Sequence, residues 1–319
     1  MIPKPIRLTT IIEGIIMNIY KKWFWPLVAP ALILFAAVVL VPFIVGFVNS
    51  FLAWRGTYYF NPETNSRATS FFQSFVGLTN YKEAFQDERF MNAFWYTIKY
   101  AIVAVISINV VALALAVFLD SISKGAGPFR TIFFLPNMLG GLALGFIWQF
   151  IFQIVYTDIL FAPDALLHAE FLRYMTQDTT KALFALVILN VWQYAGYMMI
   201  IYTAGLNNIP TDFYEAASLD GATAWQKFRK ITVPMLMSSF TICLFMVIAN
   251  SFKLLDQNVA LTDGDFNTRM LALQILRTTK DSTPPNYGKA QAQAVIFFVI
   301  IAIISIIQVR ATSKRELEY

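Results

Sequence analysis

The chain has 319 residues, of which 58% are hydrophobic and only 13% charged. A soluble domain carries roughly 25% charge, so this composition excludes an ordinary water-soluble protein and names lipid as the solvent. The formal charge of +5 is not a nucleic-acid signal; its distribution along the chain is a topology signal.

A helix that crosses about 30 Å of hydrocarbon needs about 20 apolar residues. Six runs reach that length, at about 27–51, 94–119, 131–155, 182–205, 233–252 and 290–309. They are continuous, not alternating, so they predict helices and not barrel strands. The first run is too long for a cleavable signal peptide, and five more follow it. Between the first two lies a long loop, 52–93, with Arg55, Tyr58, Tyr59, Asn61 and Pro62, then a helix expected from Asn80 to Phe90. The loop 253–289 carries Asp256, Asp263, Gly264, Asp265 and Pro284-Pro285. Composition leaves these two loops open between plain solvated connections and something more. The one cysteine, Cys243, lies within a run, so no internal disulfide is possible. No repeat or soluble domain is evident, and the runs form one domain, 27–309.

Basic residues near span ends favour the cytoplasmic side. One set of segments comprises residues 1–26, the loop near 120–130, the loop 206–232 and the tail 310–319. It holds Lys4, Arg7, Lys21, Lys22, Lys124, Arg130, Lys227, Arg229, Lys230, Arg310, Lys314 and Arg315. The opposite loops hold nearly as many bases over a longer stretch. Both termini and the 206–232 loop are therefore expected in the cytoplasm, as an even number of spans requires.

The loop 206–232 is the most informative stretch. Asp212 with Glu215, and Thr223 with Gln226, each have capping-box spacing. Gly221 between them permits a sharp turn, and Pro234 suits the first turn of the next helix. Two short helices at an angle follow, with Tyr214, Leu219, Ala222, Trp225 and Phe228 as apolar contacts. Trp225 and Phe228 need a partner, either another protein or the membrane surface beneath Lys227, Arg229 and Lys230. The spacing of Glu215-Ala216-Ala217, Gly221, Ile231 and Pro234 matches by chance in about one register in ten million at average residue usage.

At this loop the chain resembles the integral-membrane permease subunits of bacterial carbohydrate importers of the ATP-binding-cassette type, in particular the maltose, glycerol-phosphate and multiple-sugar kind. Gly77-Leu78 with Asn80-Tyr81, then Arg130, Pro136 and Trp148, then Ile209-Pro210 before Asp212 and Tyr214, extend the resemblance. So do Phe252, Asp256, Leu261-Thr262, Gly264 and Thr268, although Gly264-Asp265-Phe266 stands where the family has Gly-Gly-Pro. The resemblance covers most of 27–309. It implies an all-α membrane protein with six transmembrane helices, the type I importer permease fold and both termini cytoplasmic, in a bacterial inner membrane. It implies a second homologous permease, two ATPase subunits, an extracytoplasmic solute-binding protein and a sugar substrate. The loop residues Glu215, Ala216, Ala217, Asp220, Gly221, Trp225 and Phe228 would couple to the ATPase.

The residues agree with that division of labour. No G-x-x-x-x-G-K-[ST] is present, since Gly288-Lys289 is followed by Ala290 and lacks the first glycine. The chain is expected to bind no cofactor, with ATP and magnesium on the partner ATPase, and to be no enzyme. No metal or nucleophile cluster stands out, and the single histidine, His168, reads as a solvated loop residue. Asn190, Gln193, Tyr194 and Tyr197 fall on one helical face, and Asn250, Ser251 and Lys253 end the fifth run. Gln149 and Gln153 share a face of the third. Polar groups inside a span line a cavity or bond between helices. By resemblance, Asn190, Gln193, Tyr194, Tyr197 and Ser251 inherit a sugar-binding role. The rival class is an ion-coupled secondary transporter of a small polar solute. It needs an intramembrane carboxylate or a broken helix, and the six runs as drawn contain no Asp or Glu.

Overall fold

The computed structural model describes residues 23–122, 125–163 and 169–316. His168, Lys124 and the basic residues Lys4, Arg7, Lys21 and Lys22 lie outside the described residues. Among the described residues, five helices are long and apolar enough to cross a membrane: α1 (Trp23–Asn49), α3 (Glu88–Asp120), α5 (Gly141–Leu160), α6 (Thr179–Asn207) and α12 (Tyr287–Ser313). A sixth crossing is a bent pair, α8 (Ala224–Met235) and α9 (Met237–Phe252), meeting at 67°. The shorter helices are α2 (Thr79–Gln86), α4 (Ala126–Phe134), α7 (Thr211–Leu219), α10 (Asp256–Thr262) and α11 (Leu271–Thr278). A two-residue hairpin pairs β1 (Phe60–Asn61) with β2 (Ser66–Arg67).

Side-chain caps set several helix starts. Asp87 accepts from the backbone N–H of Arg89, Asp178 from those of Thr180 and Lys181, and Asn286 from that of Lys289. Each satisfies donors that the first turn leaves unpaired. The helical core is the contact of α3 with α6. On α3, Ala104, Ile108, Ala112 and Ala116 recur every four residues and are fully buried. Small side chains let two backbones approach, which is how helices gain contact in lipid. The same face carries Asn109, whose Oδ1 accepts from the Tyr202 hydroxyl of α6 at 2.7 Å. A buried donor and acceptor thereby satisfy each other inside the bundle. By contrast α1 is exposed along nearly its whole length; in hydrocarbon that surface is already in its preferred solvent.

The third crossing differs from the expected 131–155. Leu135–Met138 is a turn of 3-10 helix containing Pro136, and the chain is extended at Leu139. Proline withholds an N–H and cannot continue the helix in register. The apolar run is thus cut into α4 and a crossing at 141–160, which brings Asp158 into the last turns of that crossing. Hydropathy sees both pieces as one run.

The loop 253–289 is packed, not solvated. In α10 and α11, Gln257, Asn258, Leu261, Leu271, Leu273 and Gln274 are buried. Helix α10 lies on α5 because Gly141 and Gly145 leave room: a Cβ on Gly145 would sit 2.5 Å from the Ala260 Cβ. The Leu271 N–H donates to the Thr97 hydroxyl of α3 at 2.9 Å. Gln149 and Gln153 also serve packing, donating to the Leu261 carbonyl and to the Thr176 hydroxyl.

On the same membrane face, Lys289 Nζ pairs with Asp87 Oδ2 at 2.7 Å, with only 20% and 16% of their side chains accessible. Burial alone would raise the Asp87 carboxyl, but the Lys289 hydrogen bond and charge, with the N–H groups of Arg89 and Phe90, hold it below its ordinary value. A depressed carboxylate pKa adds stability that is present above the unfolded value of about 3.9 and lost as pH falls through the folded one. Asp87→Ala removes both the pair and the cap of α3. It is expected to cost about 1–2 kcal/mol at pH 7. A melting curve in detergent should show that deficit narrowing as pH falls below about 4, where the carboxyl of the unfolded chain takes up a proton before the folded one does.

Candidate functional site: a protruding two-helix tip and an intramembrane cleft

After four crossings the chain leaves the bundle at Pro210 and builds a tip from α7 and the start of α8. Asp212 does not form a capping box with Glu215. Pro210 occupies the cap position without a side-chain bond, and Asp212 lies in the first turn, where its charge favours the helix dipole. Thr223 does form one: its hydroxyl accepts from the Gln226 N–H and the Gln226 side chain accepts from the Thr223 N–H.

Between the helices, the Gly221 N–H donates to the Ser218 carbonyl at 3.1 Å and the Ala222 N–H to the Ala217 carbonyl at 2.9 Å. Together they form a Schellman cap, whose pivot must be left-handed. Gly221 holds φ +73° there, and a Cβ added to it would meet nothing within 4 Å. Two side-chain bonds brace the angle. Lys227 Nζ donates to Ser218 Oγ at 2.7 Å, and the Tyr214 and Thr232 hydroxyls meet at 2.9 Å.

The braced tip presents apolar groups outward. Leu219 is 89% exposed and Trp225 67%. The Trp225 ring stacks on half-buried Phe228 with centroids 5.6 Å apart. Glu215, Ala216 and Asp220 are exposed, and Ala217 is half-buried. Asp220, Gly221, Ala217 and Lys227 line a cleft of about 400 Å³ between the helices. Past the tip, α8 runs through a wide turn at Phe228–Thr232 and Pro234 before the bend at Leu236. Wide turns and proline are the ordinary causes of such kinks. The second tip helix is therefore continuous with the fifth crossing up to that bend, where sequence alone suggested a separate element.

The polar face of α6 meets α10 and α9. Gln193 is buried; its Oε1 accepts from Gln257 Nε2 at 2.8 Å, and its own Nε2 reaches the Leu139 carbonyl at 3.5 Å. Gln193, Tyr194, Asn250, Lys253, Asp256 and Gln257 line a cleft of about 380 Å³. Asn190 lies one turn deeper, fully buried; its Nδ2 donates to the Leu186 carbonyl while its Oδ1 has no partner. Tyr197 packs towards Phe134, ring centroids 6.2 Å apart, and Ser251 is buried in α9. Of the five predicted side chains, the cleft gathers Gln193 and Tyr194. It adds Gln257, which sequence reasoning missed because its segment read as solvated loop.

Helices α4 and α6 touch at Gly196, where a Cβ would fall 1.8 Å from the Phe133 carbonyl oxygen. Among the described residues no group of three or more His, Cys, Asp or Glu side chains is placed to hold a metal ion.

A bundle with a broken crossing, polar side chains facing one another within it and a rigid external tip defines a polytopic transport component. Residues 108–315 match the family described as binding-protein-dependent transport system inner membrane component, and the chain belongs to that family. It is 41% identical over 298 residues to the probable starch degradation products transport system permease protein AmyD of Thermoanaerobacterium thermosulfurigenes, covering 93% of this chain and 96% of that one. It is 31% identical over 298 residues to the multiple sugar-binding transport system permease protein MsmF of Streptococcus mutans, covering 93% and 97%. Its fold is shared with a bacterial ABC transporter involved in the import of the acidic polysaccharide alginate. That match has a TM-score of 0.75 at 18% identity and covers 94% of this chain and 98% of that one.

Proposed function

We propose that this chain is a permease subunit of an ATP-driven, binding-protein-dependent importer of a sugar or oligosaccharide. In this reading it forms half of the translocation path beside a second, homologous permease. Two ATPase subunits hydrolyse ATP, and this chain catalyses nothing itself. An extracytoplasmic binding protein delivers the solute. The termini and the tip face the cytoplasm, on the side that the excess of basic residues favours.

One observation carries the coupling role: the braced tip holds Leu219 and Trp225 outward beside Glu215 and Asp220, with Trp225 still largely exposed although its ring stacks on Phe228. Exposed apolar groups on a braced element mark a docking surface. Because α8 continues into the fifth crossing, movement of a docked ATPase would rock that crossing as a body. The sugar class is supported by the names of the relatives with 41% and 31% identity, and by the amide and phenol groups of the cleft, which suit sugar hydroxyls.

The complex reconstituted with its binding protein should show ATP hydrolysis stimulated by starch degradation products and not by amino acids. Stimulation by amino acids alone would overturn the sugar reading. Gln193→Ala and Tyr194→Ala, which both line the cleft, are each expected to lower uptake with the complex still assembled. Normal uptake in both removes the cleft as the sugar site.

A further inference from the structure

The chain carries an uncharged stretch outside every crossing. Residues 68–81, between Arg67 and Lys82, contain no Asp, Glu, Lys or Arg. Within them Phe72 is 84% exposed, Leu78 61%, Phe75 59% and Phe71 46%. Four large apolar side chains in a water-facing loop need an account, because soluble surfaces rarely gather so many.

Their height relative to the bilayer supplies it. Helix α1 ends at Asn49. The Val76 N–H donates to the Phe51 carbonyl at 2.9 Å, and the Ala53 N–H to the Ser74 carbonyl at 2.8 Å. The segment is thus tied to the chain two to four residues past the end of a crossing. Two extended residues span about 7 Å, and the headgroup layer is roughly 5–7 Å thick on each side of the hydrocarbon. A ladder of rings continues the lipid-facing side of α1 into the segment: Phe47 to Phe51 at 5.3 Å, then Phe51 to Tyr81 at 5.3 Å. The Tyr81 hydroxyl meets that of Ser50 at 2.6 Å, which fixes α2 to the end of α1.

We propose that Ser70–Leu78 is an interfacial anchor, with Phe71, Phe72, Phe75 and Leu78 seated in the headgroup layer of the leaflet opposite the α7–α8 tip. Phe and Leu side chains of a segment lying on a bilayer bury their apolar bodies at the boundary between headgroups and acyl chains. Arg67 and Lys82 at the two ends are placed to meet lipid phosphates. The anchor holds the α1–α3 connection flat on the bilayer, and through the Gly288 N–H to Trp54 carbonyl bond at 3.0 Å it fixes the start of α12 at the same height.

The test uses the full complex in phosphatidylcholine and phosphatidylglycerol nanodiscs, with a nitroxide on Phe72→Cys. Native Cys243 is fully buried, and the unsubstituted complex serves as the labelling blank. Phe72 contacts so little of the chain that the change leaves the fold intact; Asn65→Cys, at the exposed hairpin turn, provides the aqueous reference. The expected result is oxygen-accessible label with collisions to a water-soluble nickel chelate reduced about tenfold relative to residue 65, whether or not the binding protein is added. Three results would overturn the proposal. One is free access to the chelate. Another is protection only after the binding protein is added, which assigns the patch to that protein. The third is exclusion of both oxygen and chelate, which assigns it to a second permease.

Discussion

Gly221→Val is expected to uncouple ATP hydrolysis from uptake while leaving the bundle folded. The turn at Gly221 is left-handed, at φ +73°. An L-residue there costs roughly 1–2 kcal/mol, and a β-branched one more. Nothing lies within 4 Å of the added Cβ, so the penalty falls on the backbone angle between α7 and α8 and not on packing. Such a penalty lowers the population of the docked geometry by a factor of about 5 to 30. Uptake into proteoliposomes should therefore fall about tenfold with an unchanged melting temperature. Arginine at Glu215 tests the same surface through charge, and both variants should lose ATPase subunits on purification. If either retains them at the wild-type ratio and still transports, the tip is not the coupling element.

Gly196→Val is expected to do the opposite, destroying the bundle and with it any complex. Even the first carbon of a side chain would lie 1.8 Å from the Phe133 carbonyl oxygen, a backbone atom that no rotamer change can move. Helices α4 and α6 must separate by more than an ångström, opening the packing on both sides. Overpacking costs about 1–3 kcal/mol and more where the obstacle is rigid, which in a marginally stable protein depletes the folded state. Gly127→Ala on the same α4 helix is the control. Its Cβ would meet nothing within 4 Å, so the added methyl displaces no neighbour. Size-exclusion profiles in detergent should show Gly196→Val aggregated and Gly127→Ala monodisperse. A monodisperse Gly196→Val protein would mean that α4 and α6 do not meet closely.

The tip was legible residue by residue because its signals are local. Thr223 and Gln226 cap across three residues, and Gly221 supplies a single dihedral. Asp212 shows the limit even there: its spacing to Glu215 fits a capping box, but with Pro210 at the cap position the helix starts two residues earlier. The cleft was only half legible. A helical wheel places Gln193 and Tyr194 on one face, whereas Gln257 reaches them across 64 residues. Nothing in the polar stretch 253–289 distinguishes a solvated loop from one drawn under α5 by Gly141 and Gly145.

The sequence by itself therefore determined the solvent, the helical class, the approximate number of crossings and the hinged tip. Those follow from hydropathy and from interactions within one turn of chain. The tertiary structure alone decided three things: that Pro136 divides the third run, that α8 carries the tip into the fifth crossing, and that the loop after it seals the cleft. The first two turn on prolines whose effect hydropathy does not register, and the third on two distant backbones meeting where Gly141 and Gly145 leave room. Close approach is a property of pairs of segments, which no single stretch of sequence contains.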